Sequence, residues 1–110
     1  MNSLYDRAVK QCLEDERVQN HLGEPIKAFG EERGGRRGRN RVAQLAYTDS
    51  AGRAGVRLQF YLQGVRNRAT VELDSRADSS DSFHTRYLIV RVEDLLRNTV
   101  LLEDNRAAME

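Results

Sequence analysis

The sequence predicts a two-layer α+β domain: one N-terminal helix packed on a mostly antiparallel sheet of about five strands. Three observations predict it. Apolar residues recur at helical spacing over the first twenty or so positions, and from Val42 onward the period changes to two. The connections between consecutive period-two runs are short, whereas a parallel crossover needs a dozen or more residues. A helix with one apolar stripe and a sheet with one apolar face bury both most simply by lying against each other. At 110 residues the chain is one domain, 1–110, which can bury a single core but not a deep cleft between two domains.

Ser3 followed by Asp6 makes a capping-box-like start. Tyr5, Ala8, Val9, Cys12, Leu13 and Glu16 then follow helical spacing, with Asp6, Arg7, Lys10, Glu14, Asp15 and Arg17 on the other face. The pattern predicts a helix from about residue 3 to about residue 20. Gly23 provides a left-handed exit and Pro25 prevents continuation. Ile26 to Phe29 is a short apolar–polar alternation that can dock against the core. Residues 31–41 form a polar loop. Strands are expected within 42–103: Val42 to Thr48, the clear alternation of Val56, Leu58, Phe60 and Leu62, then Ala69, Val71 and Leu73, then Phe83 to Val92, and Thr99 to Glu103. Asp49-Ser50-Ala51-Gly52, Gly64 to Arg68 and Glu93 to Asn98 are turns, Ser75 to Ser82 is a solvated loop, and Asp104 to Glu110 is a tail.

The net charge of +1 hides an asymmetry. Residues 31–68 hold nine arginines against Glu31, Glu32 and Asp49, an excess of six positive charges, and the flanking segments are net acidic. Such a distribution suits an acidic partner. Arg33, Arg36, Arg37, Arg39 and Arg41 are concentrated in the 31–41 loop, with Lys27 just before it. Guanidinium groups fork onto carboxylates or phosphates with two hydrogen bonds each. Composition leaves two partners open, an acidic protein segment or RNA, although the strands carry no RNP-type aromatic sequence.

Catalysis finds no support. His21 closes the helix, where a polar cap or dipole partner is expected, and His84 alternates with Phe83 and Thr85 on a strand. Neither has a second ligand at metal spacing, so no metal site and no cofactor site is expected. Ser79, Ser80, Asp81 and His84 read as a solvated loop rather than a nucleophile set. Gly34, Gly35 and Gly38 lack the pattern of a phosphate loop. Cys12, the only cysteine, reads as a buried apolar filler. No run approaches the roughly 18 apolar residues of a membrane span, and no signal-peptide pattern is present.

Several of these pieces resemble one family. Leu22-Gly23-Glu24-Pro25-Ile26-Lys27-Ala28-Phe29-Gly30-Glu31, the basic loop Arg33-Gly34-Gly35-Arg36-Arg37-Gly38-Arg39, and Phe60-Tyr61-Leu62-Gln63-Gly64 occur in the family's order. So do Arg86-Tyr87-Leu88-Ile89-Val90 and the closing Val100-Leu101-Leu102-Glu103-Asp104-Asn105-Arg106. Together they resemble the intermembrane-space domain of the twenty-one-kilodalton subunit of the mitochondrial inner-membrane presequence translocase. The turn Gly64 to Arg68 departs from the pattern in lacking a second glycine. A related branch, the cytochrome oxidase assembly factors, shares the first signature. The resemblance implies a non-enzymatic tether at the mitochondrial inner membrane. It would face the intermembrane space and bind the acidic tail of an outer-membrane translocase receptor through Lys27, Arg33, Arg36, Arg37, Arg39 and Arg41. It also implies contact with the inner-membrane translocase core and with respiratory-chain complexes, no nucleic acid, and a full-length form anchored by a membrane helix absent from this sequence. The alternatives are a cytochrome oxidase or respiratory-chain assembly factor, and an RNA-binding module acting through the arginine loop.

Overall fold

The computed structural model describes residues 3–30, 43–80 and 82–109. The chain runs α1 (Ser3–Glu14), α2 (Glu16–Leu22), β1 (Lys27–Phe29), β2 (Ala43–Thr48), β3 (Ala54–Gln63), β4 (Arg68–Ala77), β5 (Phe83–Val92), β6 (Thr99–Asp104) and α3 (Arg106–Met109). The sheet has six strands in the order β1-β3-β4-β5-β6, with β2 also paired to β3, and every pairing is antiparallel. The expected α+β architecture is present. The strand beyond the expected five is Lys27–Phe29, which pairs with Gln63 to Tyr61.

The expected single helix is two. Asp15 breaks it with an extended backbone (φ −82°, ψ 123°) and caps α2: its carboxylate accepts the backbone N–H groups of Arg17 at 2.8 Å and Val18 at 3.3 Å. A short acidic side chain that satisfies two amides of the next turn competes with helix continuation, and helical periodicity on both sides does not reveal it. Both helices still present one apolar stripe to the sheet. Ala8, Cys12, Val18 and Leu22 are buried against Leu58, Phe60, Leu62, Val71, Leu88 and Val90. Tyr5 meets Phe60 edge to face, with ring centroids 5.0 Å apart.

Two further boundaries differ from expectation. β4 continues through Ser75, Arg76 and Ala77, which the solvated-loop reading covered. Ser75 and Ala77 continue the buried alternation of Ala69, Val71 and Leu73, and one extra residue in β5, Arg86, shifts the register so that they pair with Thr85 and Phe83. The expected tail contains α3, which begins where the Asp104 carboxylate accepts the Arg106 N–H at 3.2 Å and its guanidinium at 2.8 Å.

The β3–β4 turn closes the free end of α2. The last carbonyls of a helix lack partners within the helix. Here Arg66 N donates to Leu22 O at 2.8 Å, Val65 N to Gly23 O at 2.9 Å, Asn67 Nδ2 to His21 O at 2.8 Å and Arg66 Nη2 to Asn20 O at 2.6 Å. The capping expected of His21 is therefore done largely by the next turn's amides and side chains. Gly23 leaves the helix at φ +79°, a positive φ as expected. Gly64 is the contact point: a Cβ there would lie 2.2 Å from Leu22 O and 2.5 Å from Gly23 O, both backbone atoms. Gly64→Ala is expected to destabilise the domain by about 3 kcal/mol or more, read as a lower urea midpoint at unchanged m-value.

Candidate partner-binding edge and face

β1 and β2 lie end to end along one edge of β3. Phe29 pairs with Tyr61 and Ala43 with Gln59, so β1 stops two residues before β2 starts, a gap of roughly 7 Å along β3. The ends of the two strands, Phe29 and Ala43, thus flank the position of Phe60 on β3. Arg33, Arg36, Arg37, Arg39 and Arg41 lie outside the described residues. The described strands on either side of them, β1 and β2, end and begin near the middle of the β3 edge.

Lys27 is the one proposed contact residue within the described part. It is exposed on β1, opposite Gln63. Two positions along, Phe29 stacks on Tyr61 with ring centroids 5.6 Å apart. The Arg68 guanidinium lies over both rings, at 5.2 and 4.8 Å, and 3.9 Å from Glu93. This aromatic–guanidinium platform stands where the arginine loop begins. Arg68 belongs to the basic 31–68 stretch, but nothing in its spacing places it over Phe29 and Tyr61. The alternation of Ile26 to Phe29 was visible, yet only its pairing with β3 brings Phe29 to Tyr61.

The platform continues onto the sheet face that carries no helix. Here Asp74 is buried and Glu72 half-buried, and the Arg57 and Arg91 side chains are more exposed than either. Asp74 is fully buried and accepts the Tyr47 hydroxyl at 2.7 Å and Arg86 Nη1 at 2.9 Å, with Arg57 Nε at 3.6 Å. Glu72 accepts the Tyr87 hydroxyl and faces Arg91 at 3.4 Å and Arg57 at 3.8 Å. Desolvation, then the Glu72 hydrogen bond, pushes the Tyr87 phenol up to about 12. Desolvation and the Asp74 bond raise Tyr47 as well. Arg76 reaches Asp49 at 3.3 Å and ties β4 to the β2–β3 turn. The Arg57 and Arg91 side chains remain 41% and 51% exposed, against 0% for Asp74 and 20% for Glu72, so the surface offered outward is guanidinium.

The remaining candidates do not converge. His84 Nε2 is 2.6 Å from Asp78 Oδ2 on an exposed turn, and Asp78 also accepts from Ser80 and Ser82. The Ser80 and His84 hydrogen bonds hold the Asp78 carboxyl far below the usual carboxylate range. Asp81 lies outside the described residues. Cys12 is buried, and desolvation followed by Asp15 pushes its thiol up to about 12, which suppresses the reactive thiolate. Among the described residues no three His, Cys, Asp or Glu gather to hold a metal, and no helix is long and apolar enough to cross a membrane.

The fold and this face define a class: a helix pair on one side of an antiparallel sheet, an ion-paired arginine and tyrosine face on the other, and two short strands sharing one edge of β3, with an arginine-rich stretch of sequence between them. The TIM21 family profile matches residues 1–106. The Tim21 mitochondrial import inner membrane translocase subunit of Bos taurus is 32% identical over 109 residues, covering 96% of this chain and 43% of that protein. The Xenopus laevis subunit is 31% identical, covering 96% and 46%. The intermembrane-space domain of Saccharomyces cerevisiae Tim21 superposes with a TM-score of 0.77 at 20% identity, over 92% of this chain and 89% of that one. The chain belongs to the TIM21 family of mitochondrial inner-membrane import translocase subunits. Its place is with them at the mitochondrial inner membrane, and it spans under half the length of those curated relatives.

Asp74→Ala withdraws the carboxylate from Arg86 and Tyr47 and is expected to cost about 3 kcal/mol in chemical unfolding. Tyr87 has a folded pKa above its unfolded value of about 10, so its contribution is complete below pH about 10 and is lost as pH rises through about 12. Tyr87→Phe is expected to remove one late phenol from the ultraviolet titration and to flatten the stability loss across that window.

Proposed function

We propose that this chain is a non-enzymatic tethering module in mitochondrial protein import. It faces the intermembrane space and links the inner-membrane presequence translocase to the outer-membrane translocase by binding an acidic receptor tail. The observation that carries the reading is that β1 and β2, the strands flanking the arginine-rich segment, meet the middle of the β3 edge beside exposed Lys27 and the Phe29–Tyr61–Arg68 platform. Membership of a family of inner-membrane import subunits supports the cellular setting. The paired carboxylates of the open face support the charge sign, because the groups left to meet a partner are guanidinium and ammonium. Arg33, Arg36, Arg37, Arg39 and Arg41 carry the contact, with Lys27 at its foot.

An acidic segment meeting such a surface is steered electrostatically, associates fast and weakens with salt. That behaviour suits a contact that must form and release between two membranes. Titration of the labelled domain with an acidic receptor-tail peptide, at low and at physiological salt with single-stranded RNA as competitor, tests it. Saturable binding that salt weakens and RNA leaves in place is expected. Changing Arg36, Arg37, Arg39 and Arg41 to Gln is expected to reduce affinity at least about a hundredfold, at roughly 1 kcal/mol per lost charge contact, with circular dichroism unchanged. Unaltered affinity in that variant removes these residues from the role. Displacement by RNA favours the nucleic-acid alternative.

A further inference from the structure

The β5–β6 connection, a turn as expected from Glu93 to Asn98, exposes two adjacent leucines. Leu95 is fully exposed and Leu96 is 82% exposed, whereas Leu88 and Val90 on the preceding strand are fully buried. The turn is a held one. The Asp94 carboxylate accepts Asn98 N at 3.1 Å and Asn98 Nδ2 at 2.8 Å, Arg97 N donates to Asp94 O at 3.1 Å, and Val92 N donates to Asn98 O at 2.8 Å. Arg97 takes a left-handed φ of 52° at this bend. Hydrogen bonds on both sides of the leucines thus fix a turn that leaves them projecting into water.

Beside the turn lies a cleft of about 570 Å³ lined by Thr70, Arg91, Glu93, Asp94, Arg97 and Thr99. Its acids are engaged. Glu93 accepts from Thr70 Oγ1 at 3.1 Å and faces Arg68 at 3.9 Å, while Asp94 holds Asn98. Arg97 is exposed, and the Arg91 side chain is half exposed while it faces Glu72 at 3.4 Å. The β3–β4 turn leaves the same end of the sheet and shows Val65, 67% exposed, next to exposed Arg66. One end of the molecule therefore combines projecting apolar side chains with solvent-facing guanidinium groups.

We propose that this end of the sheet docks on an anionic phospholipid surface, with Leu95 and Leu96 entering the acyl boundary and Arg91 and Arg97 meeting headgroup phosphates. A convex two-leucine tip needs a shaped pocket to be buried by a protein, whereas a fluid acyl layer beneath an anionic plane needs none. The proposal is independent of the tether reading, which uses the arginine loop and the opposite edge of the sheet.

The chain has no tryptophan, so Leu96→Trp places a single indole at the tip. Its emission is expected to shift to the blue, and the protein to co-sediment, with vesicles of equal parts phosphatidylglycerol and phosphatidylcholine, but not with phosphatidylcholine alone. Leu95→Ser and Leu96→Ser in the native chain are each expected to weaken partitioning about tenfold. Arg91→Gln and Arg97→Gln are each expected to weaken it about fivefold. These side chains are exposed, so circular dichroism is expected to stay unchanged. An indole emission that does not move with anionic vesicles, or co-sedimentation that survives both serine changes, overturns the proposal. A blue shift produced only by an acidic peptide assigns the tip to a protein partner and overturns it equally.

Discussion

β3 carries two strands on one edge and the core on one face. Residues 59 to 54 pair with β2 and residues 63 to 61 with β1, while on the other edge β4 pairs along nearly its whole length. Leu58, Phe60 and Leu62 from this one strand are fully buried beneath the helices. A one-residue slip of β3 would turn these side chains out to water and Arg57, Gln59 and Tyr61 in. Its register is therefore strongly specified, and with it the places of β1 and β2 along its edge.

The two faces of the sheet obey different physics. On the helix side, burial of apolar surface is the main stabilising term, and the β3–β4 turn seals it by taking up the carbonyls at the end of α2. On the open side, exposed ion pairs such as Arg91 with Glu72 contribute little each. Asp74 differs, because a fully buried carboxylate must be matched by the Tyr47 hydroxyl and the Arg86 guanidinium or left uncompensated. Its value is one of geometry: it aligns β2, β4 and β5 through their side chains and leaves the outer arginines facing solvent.

That layering bears on how the module meets others. Guanidinium groups held above buried carboxylates keep their positions without a partner, so binding need not order them first. The arginine-rich segment follows β1, the strand that carries Phe29 of the aromatic platform. On the proposed reading, a stiff sheet supplies position and the loop supplies charge, and the weak, salt-sensitive contact that results suits a relay between membranes.

Much of this domain was legible in the residues themselves. The period-two runs and short turns determine the antiparallel sheet, and the alternation of Val56 to Leu62 and Ala69 to Leu73 determines which face is buried. Cys12 was readable as core, and LGEPIK with LLEDNR pointed to the family. What the periodicity could not show depends on partners distant in the chain. Asp15 splits the helix through local capping that helical spacing tolerates, Lys27 to Phe29 becomes a strand only because the β3 edge is vacant there, and Asp74 looks like an outward-facing acid until Tyr47 and Arg86 close over it. Leu95 and Leu96 sit in the expected Glu93–Asn98 turn, but only the folded chain shows that both side chains stay exposed there. Period and turn chemistry are local and can be read along the chain, whereas edge pairing, buried charge and exposure are decided only when distant segments meet.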